Sequence, residues 1–210
     1  MNPDHYLSLA GECAAELVRL RSRFVATAAA TEQPADAQAF IKRVAAGHPQ
    51  ASHRCWAYRT GFPDAPQEHC SDAGEPPGTA GRPILTALQQ AGLWNATLVV
   101  CRYFGGTKLG IRGLIEAYRA AAAKTIAGAR PVPRQPMAGL RLTLAYAQFA
   151  ALSRMVEELG GTLSEAAFSD RVACTAFVPR RACERFAAEA GALGAQCALL
   201  NNPGAPPSNQ

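Results

Sequence analysis

Two glycine-rich segments carry most of the side chains whose chemistry could serve a function. Residues 71–83 read Ser-Asp-Ala-Gly-Glu-Pro-Pro-Gly-Thr-Ala-Gly-Arg-Pro, and residues 102–113 read Arg-Tyr-Phe-Gly-Gly-Thr-Lys-Leu-Gly-Ile-Arg-Gly. Each segment is predicted to lead into a helix, whose first N–H groups have no intrahelical partner and carry a partial positive charge. Because glycine lets a ligand approach the backbone closely, the two segments together predict a shared anion site.

The predicted ligand-binding or nucleic-acid-binding residues are the polar, basic and glycine positions of these segments, with one upstream histidine. They are His53, Ser71, Asp72, Glu75, Gly78, Thr79, Gly81, Arg82, Arg102, Tyr103, Gly105, Gly106, Lys108, Gly110 and Arg112. Arg112 falls in a first helical turn, where a cation costs about 0.3–1 kcal/mol that a bound phosphate would offset. An exposed Arg112–Glu116 pair one turn apart explains Arg112 equally well.

The carboxylates and aromatic residues of these segments each have a plainer structural interpretation. Asp72 and Glu75 could bind Mg²⁺ or act as acid and base, but pairing with a nearby arginine or lysine, or capping a turn, is favoured. Tyr103 and Phe104 could stack on bases if exposed, although residues at a strand end are more often part of the core. Neither segment has Walker A or Rossmann spacing. The sequence therefore favours a protein that is not an enzyme, with no catalytic residue and no cofactor.

The cysteines indicate a reducing compartment rather than a metal centre. The sequence has seven cysteines, an odd number at irregular spacing, and most lie inside apolar runs. A zinc site at His53, Cys55, His69 and Cys70 is conceivable, but adjacent ligands fit common zinc spacings badly, so no metal is predicted. No apolar run is long enough to span a bilayer, and the N-terminus has no signal-peptide pattern. We expect a cytoplasmic protein with no membrane association.

Charge is distributed unevenly along the 210 residues, of which 49% are hydrophobic and 18% charged. The net charge is +5, and residues 1–135 hold 15 Lys and Arg against 10 Asp and Glu, whereas residues 136–210 hold 6 against 6. The excess favours an anionic partner for the N-terminal part of the chain, such as RNA or a ribosome. A small anionic, phosphate-bearing metabolite is the alternative ligand. We expect a monomer or a weak dimer.

Hydrophobic periodicity predicts two domains separated by a proline-rich linker. In the first domain, residues 1–130, the predicted strands are 7–17, 20–29, 53–60 and 96–104, the predicted helices are 34–46, 82–91 and 112–127, and a loop covers 61–79. Residues 131–139 are the predicted linker and residues 201–210 a disordered tail. The domain over 140–200 is predicted as strand 140–146, helix 147–159, strands 161–168 and 171–178, helix 180–191 and strand 195–200, the βαββαβ order of ferredoxin-like domains.

Four motifs together resemble those of the IMPACT/YigZ family. They are His53-x-Cys55-x-Ala57-Tyr58, the segment from Ser71 to Pro83, Arg102-Tyr103-Phe104-Gly105-Gly106-x-Lys108-Leu109-Gly110, and Gly113-Leu114 with Ala117-Tyr118. Residues 138–200 are similar to the C-terminal ferredoxin-like module of the bacterial members, with Tyr146 at the position of its early tyrosine.

The resemblance implies a fold and a cellular process. It implies an α+β protein in which a ribosomal-protein-S5-domain-2-like βαβ domain precedes the ferredoxin-like domain, as in the last two domains of the translocating elongation factor. Eukaryotic members regulate translation through a further N-terminal domain with no counterpart among these residues, so what the resemblance implies is a link to translation or RNA. Ala73 stands where the family pattern has a second acid, and Arg112 where it has glycine.

Overall fold

The computed structural model describes residues 5–62 and 65–200, which form two compact units. The first unit spans Tyr6–Arg134, and the second begins at Gln135. The predicted tail over 201–210 lies outside the described residues. Both units combine helices with sheets, as the predicted α+β class requires.

The N-terminal unit contains a five-stranded sheet, a two-stranded ribbon and three helices. In chain order its elements are β1 (Tyr6–Leu9), β2 (Cys13–Arg19), β3 (Ser22–Ala30), α1 (Pro34–Gly47), β4 (His53–Phe62), β5 (Ala65–Ser71), α2 (Gly81–Gln90), β6 (Ala96–Tyr103), α3 (Gly110–Ala127) and β7 (Pro131–Arg134). The large sheet has the order β2-β3-β6-β4-β5, and β1 pairs with β7.

The strand directions bring the starts of α2 and α3 to one end of the sheet. β4 is antiparallel to both of its neighbours, β5 and β6, so β5 and β6 run in the same direction. α2 follows β5 and α3 follows β6, so both helices begin at the end of the sheet where these strands finish. This end also holds the start of β4 and the β2–β3 turn, because Arg102 lies opposite His53 and Tyr103 lies opposite Arg23. We refer to it as the site end.

Alternating side chains on the central strands divide the core between the two faces of the sheet. On β6, Leu98 and Val100 pack with α2 and α3, whereas Val99 and Cys101 pack with α1 on the opposite face. A strand buried on both faces reads as an uninterrupted apolar run, which is why the sequence predicts β6 well. The helices pack on the sheet through apolar positions at helical spacing, such as Phe40, Ile41 and Val44 of α1.

Three predictions for the N-terminal unit differ from the structure. The strand predicted over 7–17 is two strands, because β1 pairs with β7 in a separate ribbon and the chain joins the large sheet only at β2. The loop predicted over 61–79 contains β5, an edge strand whose side chains are mostly exposed, so no apolar alternation marks it. The succession of strand 53–60, helix 82–91 and strand 96–104 predicts a right-handed crossover between parallel strands, but β4 is antiparallel to β6, and the parallel strands that α2 connects are β5 and β6.

The C-terminal unit is a four-stranded antiparallel sheet with two helices. Its elements are β8 (Met137–Leu144), α4 (Tyr146–Glu158), β9 (Thr162–Phe168), β10 (Val172–Pro179), α5 (Cys183–Ala192) and β11 (Gln196–Leu199), with a 3-10 turn at Arg180–Ala182. The strand order β11-β8-β10-β9 and the βαββαβ succession confirm the ferredoxin-like prediction. Its core includes Leu142, Leu152 and Phe186, each fully buried.

The linker predicted over 131–139 is almost entirely strand. Residues 131–134 form β7 and pair with β1, and β8 already begins at Met137. The prolines of this stretch fit because a strand at the edge of a sheet does not need every N–H group. No helix in the described ranges 5–62 and 65–200 is long and apolar enough to cross a membrane.

Candidate functional site

A buried ion pair joins the two glycine-rich segments at the site end. Arg102 Nη1 donates to Glu75 Oε1 at 2.7 Å, and the two side chains are 6% and 3% exposed. Tyr118 of α3 donates its hydroxyl proton to the same carboxylate oxygen at 2.8 Å. Buried charges need a partner of opposite charge and hydrogen bonds, and this cluster supplies both. The sequence-based preference for pairing is therefore correct for Glu75, and its partner is Arg102.

The two other ionisable side chains of this network, Cys55 and Tyr118, stay uncharged. The Cys55 thiol lies 2.9 Å from the Asp72 carbonyl oxygen, which accepts its hydrogen bond, and 3.3 Å from the Tyr118 hydroxyl. Burial, together with the nearby Glu75 and Asp72 charges, raises the pKa of Cys55 to about 12, despite the hydrogen bond to Tyr118. Burial also raises the pKa of Tyr118, and the adjacent Cys55 and Glu75 raise it further. Both groups remain protonated at neutral pH, so neither serves as a nucleophile or a base.

The Asp72 carboxylate occupies the helix N-terminus that was predicted to bind an external anion. Its Oδ2 accepts from the Gly78 N–H at 2.8 Å, and its Oδ1 accepts from the Ala80 and Gly81 N–H groups, each at 2.9 Å. Partial burial favours a higher pKa for Asp72, but these three donors outweigh it and the pKa is lower than usual. The amides of Gly78, Ala80 and Gly81 therefore donate to a carboxylate of the same chain rather than to the external anion that the sequence predicts.

The rest of the first segment is an internally bonded turn. Ser71 Oγ accepts from the Ala73 N–H at 3.2 Å, and Thr79 Oγ1 donates to the Pro76 carbonyl oxygen at 2.7 Å. His53 is half-buried, with Nδ1 3.1 Å from the Ala73 carbonyl oxygen. Ala73 has a φ of +45°, a conformation that aspartate adopts more readily than alanine. Ala73, which stands where the family pattern has an acid, therefore has a more strained backbone than an aspartate would have at this position.

Close backbone contacts explain two of the predicted glycines. A Cβ on Gly81 would lie 2.7 Å from the Ser71 carbonyl carbon, so the start of α2 is packed against the end of β5. A Cβ on Gly105 would lie 2.1 Å from the carbonyl carbon of Arg21, which places the second segment directly against the β2–β3 turn. Glycine is required at both positions by packing within the chain rather than by the approach of a ligand.

The first residues of the second segment, at the end of β6, are also held by contacts within the chain. The Tyr103 hydroxyl lies 2.7 Å from His48 Nδ1, and the Arg23 guanidinium lies 4.3 Å from the Tyr103 ring centroid. Ser22 Oγ accepts from the Gly105 N–H at 3.3 Å. Tyr103 is half-buried by these contacts, so the structural interpretation of this tyrosine holds.

A group of cations remains exposed around this internally bonded framework. Arg82 lies in the first turn of α2, and Lys108 lies just before α3. The Arg112 side chain is 94% exposed and pairs with Glu116 at 3.2 Å, as the alternative interpretation of the sequence required. Arg21 belongs to the same group but is absent from the predicted site residues, because the sequence places it in the strand predicted over 20–29. Arg21, Arg82 and Lys108 form no ion pair with any residue of the described ranges.

The predicted site residues thus fall into two groups. Those engaged within the chain are Ser71, Asp72, Glu75, Gly78, Thr79, Gly81, Arg102, Tyr103 and Gly105, and His53 is half-buried beside them. Those exposed to solvent are Arg82, Gly106, Lys108, Gly110 and Arg112. Among the described residues, no group of three or more His, Cys, Asp or Glu side chains is arranged to hold a metal ion.

Known proteins match both units of this chain. Residues 20–126 match the model of the Impact N-terminal domain, and residues 142–191 match that of a domain of unknown function (DUF1949). The chain is 32% identical over 170 residues to the IMPACT family member YigZ of Escherichia coli K12, covering 80% of this chain and 83% of the relative. It is 33% identical over 171 residues to the IMPACT family member YvyE of Bacillus subtilis 168, covering 81% and 78%.

A solved structure titled "Crystal structure of an hypothetical protein" is similar over 94% of this chain and 98% of its own, with a TM-score of 0.73 and 28% identity. The two-unit architecture is therefore shared with an experimentally determined protein. Together with the matches of the N-terminal unit and of both bacterial relatives, these findings establish that the chain belongs to the IMPACT family.

Proposed function

We propose that this protein acts in translation without catalysing a reaction, by binding RNA, free or within a ribosome, through the exposed cations of the site end. These cations are Arg21, Arg82, Lys108 and Arg112. The observation that carries the proposal is that three of them lack an acidic partner among the described residues, while Glu75 is buried against Arg102 and the Asp72 carboxylate binds backbone amides. Surface cations without an acidic partner attract a polyanion such as RNA.

The charge distribution along the chain supports the same surface. All of the net charge of +5 comes from residues 1–135, and the site end lies within that part. The C-terminal unit has no excess of either sign to add. Phosphate contacts supply most of the affinity of proteins that bind nucleic acid without sequence preference, so a local excess of cations is the feature that such binding requires.

The internal bonding of the site end argues against the alternative ligand, a small phosphate-bearing metabolite. Such a ligand needs several convergent donors in a concave site. The Ala80 and Gly81 amides at the start of α2 are occupied by Asp72, and the Arg102 guanidinium is paired with Glu75, so these predicted donors are already engaged within the chain. Exposed arginine and lysine side chains on an open surface suit an extended polyanion better than a compact metabolite.

The test compares two double variants of equal charge. Arg82→Ala/Lys108→Ala removes two cations from the site end, and Lys42→Ala/Arg154→Ala removes two exposed cations elsewhere. Binding of the full chain to purified ribosomes and to RNA is measured by sedimentation at several salt concentrations. The site-end variant should lower the slope of log affinity against log salt by about 0.7–0.9 for each lost phosphate contact. The control variant should leave the slope unchanged.

Two results would contradict this function. The first is wild-type protein that remains in the supernatant with both ribosomes and RNA at low salt. The second is an equal loss of affinity in the two double variants, because net charge alone would then explain the binding. A thermal shift with small phosphates that the site-end variant abolishes, in the absence of RNA binding, would instead favour the metabolite.

A further inference from the structure

Phe104, which follows β6 directly, presents an exposed aromatic ring at the site end. Phe104 is 50% exposed, whereas the neighbouring Tyr103 is more deeply buried and is hydrogen-bonded to His48. The sequence could not distinguish the two, because both stand at a strand end. Of these two rings, Phe104 is the one that the structure exposes to solvent and therefore to a partner. An aromatic ring left in water forgoes the stabilisation of burial, so its position beside exposed cations calls for a physical explanation.

Hydrogen bonds hold the backbone at Phe104, and a buried cation lies beside its ring. The Phe104 N–H donates to Ser52 Oγ at 3.2 Å, and the following Gly105 N–H donates to Ser22 Oγ at 3.3 Å. The Arg102 guanidinium lies 5.5 Å from the Phe104 ring centroid, within the range of a cation–π contact. Because its backbone is held before binding, Phe104 loses little backbone conformational entropy when a partner stacks on its ring.

Exposed cations lie near Phe104, one in the β2–β3 turn and one further along the chain. Gly105 packs against the backbone of Arg21, and Lys108 follows Phe104 by four residues. An exposed aromatic side chain among unpaired cations is the combination by which proteins bind single-stranded nucleic acid. In a duplex the bases are paired and stacked on one another, so their faces are not available to such a ring.

We infer that Phe104 stacks on an unpaired nucleobase while Arg21 and Lys108 contact the adjacent phosphates, so that the partner is single-stranded RNA. This inference rests on the function proposed above and narrows it to one class of RNA. It assigns to Phe104 a contact with the base and leaves the salt-dependent part of the affinity to the cations.

The inference predicts different responses from four single variants. Binding of the full chain to a labelled twelve-nucleotide oligouridine and to a twelve-base-pair RNA duplex is measured by fluorescence anisotropy. Phe104→Ala should weaken binding to the oligouridine by about 5- to 160-fold, the effect of losing one stacked base, and leave the salt slope unchanged. Phe104→Trp should keep an affinity for the oligouridine close to that of the wild type, because it retains an aromatic ring. Lys108→Ala should instead lower the slope by about 0.7.

Ile111→Ala is the matched control, because Ile111 is an exposed apolar residue at the start of α3 and is 66% exposed. It should change affinity for the oligouridine by less than about twofold, since an aliphatic side chain has no π face to stack on a base. Because both residues are largely exposed, neither truncation opens a core cavity, and tryptophan fluorescence of each variant verifies its fold.

The outcomes separate this inference from the proposed function. If wild-type protein binds neither RNA nor ribosomes, the proposed function fails and the inference fails with it. If RNA binds with the expected salt dependence but Phe104→Ala retains full affinity for the oligouridine, only the inference is overturned. Equal losses in Phe104→Ala and Ile111→Ala, or equal affinity of the wild type for the duplex and the single strand, also overturn it.

Discussion

Removal of the Glu75 carboxylate should destabilise the N-terminal unit more than any other change at the site end. Arg102 Nη1 and Glu75 Oε1 are 2.7 Å apart, and both side chains are nearly excluded from water. At an effective dielectric constant of about 20, their attraction is of order 6 kcal/mol, part of which offsets the cost of desolvating both groups. Glu75→Ala leaves the guanidinium buried without a counter-charge and deprives Tyr118 of its acceptor. We expect a loss of about 3–5 kcal/mol in the free energy of unfolding.

Urea unfolding followed by tryptophan fluorescence isolates this effect. Both tryptophans of the chain, Trp56 and Trp94, lie in the N-terminal unit, so the signal reports on that unit. The variants for a double-mutant cycle are Glu75→Leu, Arg102→Met and the two combined. Each single variant leaves a buried group unpaired, whereas the combined variant removes both charges, so its loss should fall below the sum by about 2 kcal/mol or more.

The reasoning would be refuted by additive losses in the cycle, meaning agreement within about 0.5 kcal/mol, because independent sites behave in that way. A loss below about 1 kcal/mol for Glu75→Ala would refute it as well, since that is the size of an ordinary hydrogen bond. Arg112→Ala is the comparison variant. Its ion pair with Glu116 is exposed, and its removal should change the free energy of unfolding by about 0.5 kcal/mol at most.

Two further predictions concern the backbone of the site end. Asp72→Asn should cost about 1–2 kcal/mol in unfolding free energy near neutral pH, because an amide cannot accept from all three N–H donors. Since folding lowers the pKa of Asp72, the difference from wild type in urea titrations should be complete above about pH 5 and shrink as the pH falls through the unfolded and then the folded pKa. Gly105→Ala should lower the thermal midpoint far more than Gly106→Ala, because only the former Cβ meets backbone atoms, at 2.1 Å.

The elements that the sequence predicts well are those whose packing leaves a strong apolar pattern. β6 is buried on both faces and α1 buries one face, and the predicted bounds of both lie within one residue of the structure. β5 was missed because its backbone, not its side chains, attaches it to β4. The same holds for β7, where prolines suggested a linker but the strand pairs with β1 at the opposite end of the unit's sequence. Strands held mainly by backbone pairing leave no apolar pattern in their own sequence.

At the site end, the sequence indicates which residue types meet but not which partner each one selects. The glycine-rich segments correctly pointed to helix starts with unpaired amides, yet the anion that fills one of them is Asp72, only six residues before the first amide it binds. Pairing of Glu75 with a cation was expected, but Arg82, Arg102 and Lys108 were equivalent candidates. Only Arg102 lies on a central strand, where burial makes a counter-charge necessary.

This division of partners determines the charge that the site end presents to solvent. Glu75 is buried and paired with Arg102, and the Asp72 carboxylate is bound to backbone amides, so neither forms an ion pair with Arg21, Arg82 or Lys108. Ala73 is exposed, and the acid that the family pattern has at this position would add a negative charge to the same surface. Its absence makes the surface more positive at the cost of a strained residue with a φ of +45°. With Glu75 buried against Arg102, and with Arg21, Arg82 and Lys108 exposed and without an ion pair among the described residues, this end of the sheet presents the kind of unpaired surface cations that attract a polyanion.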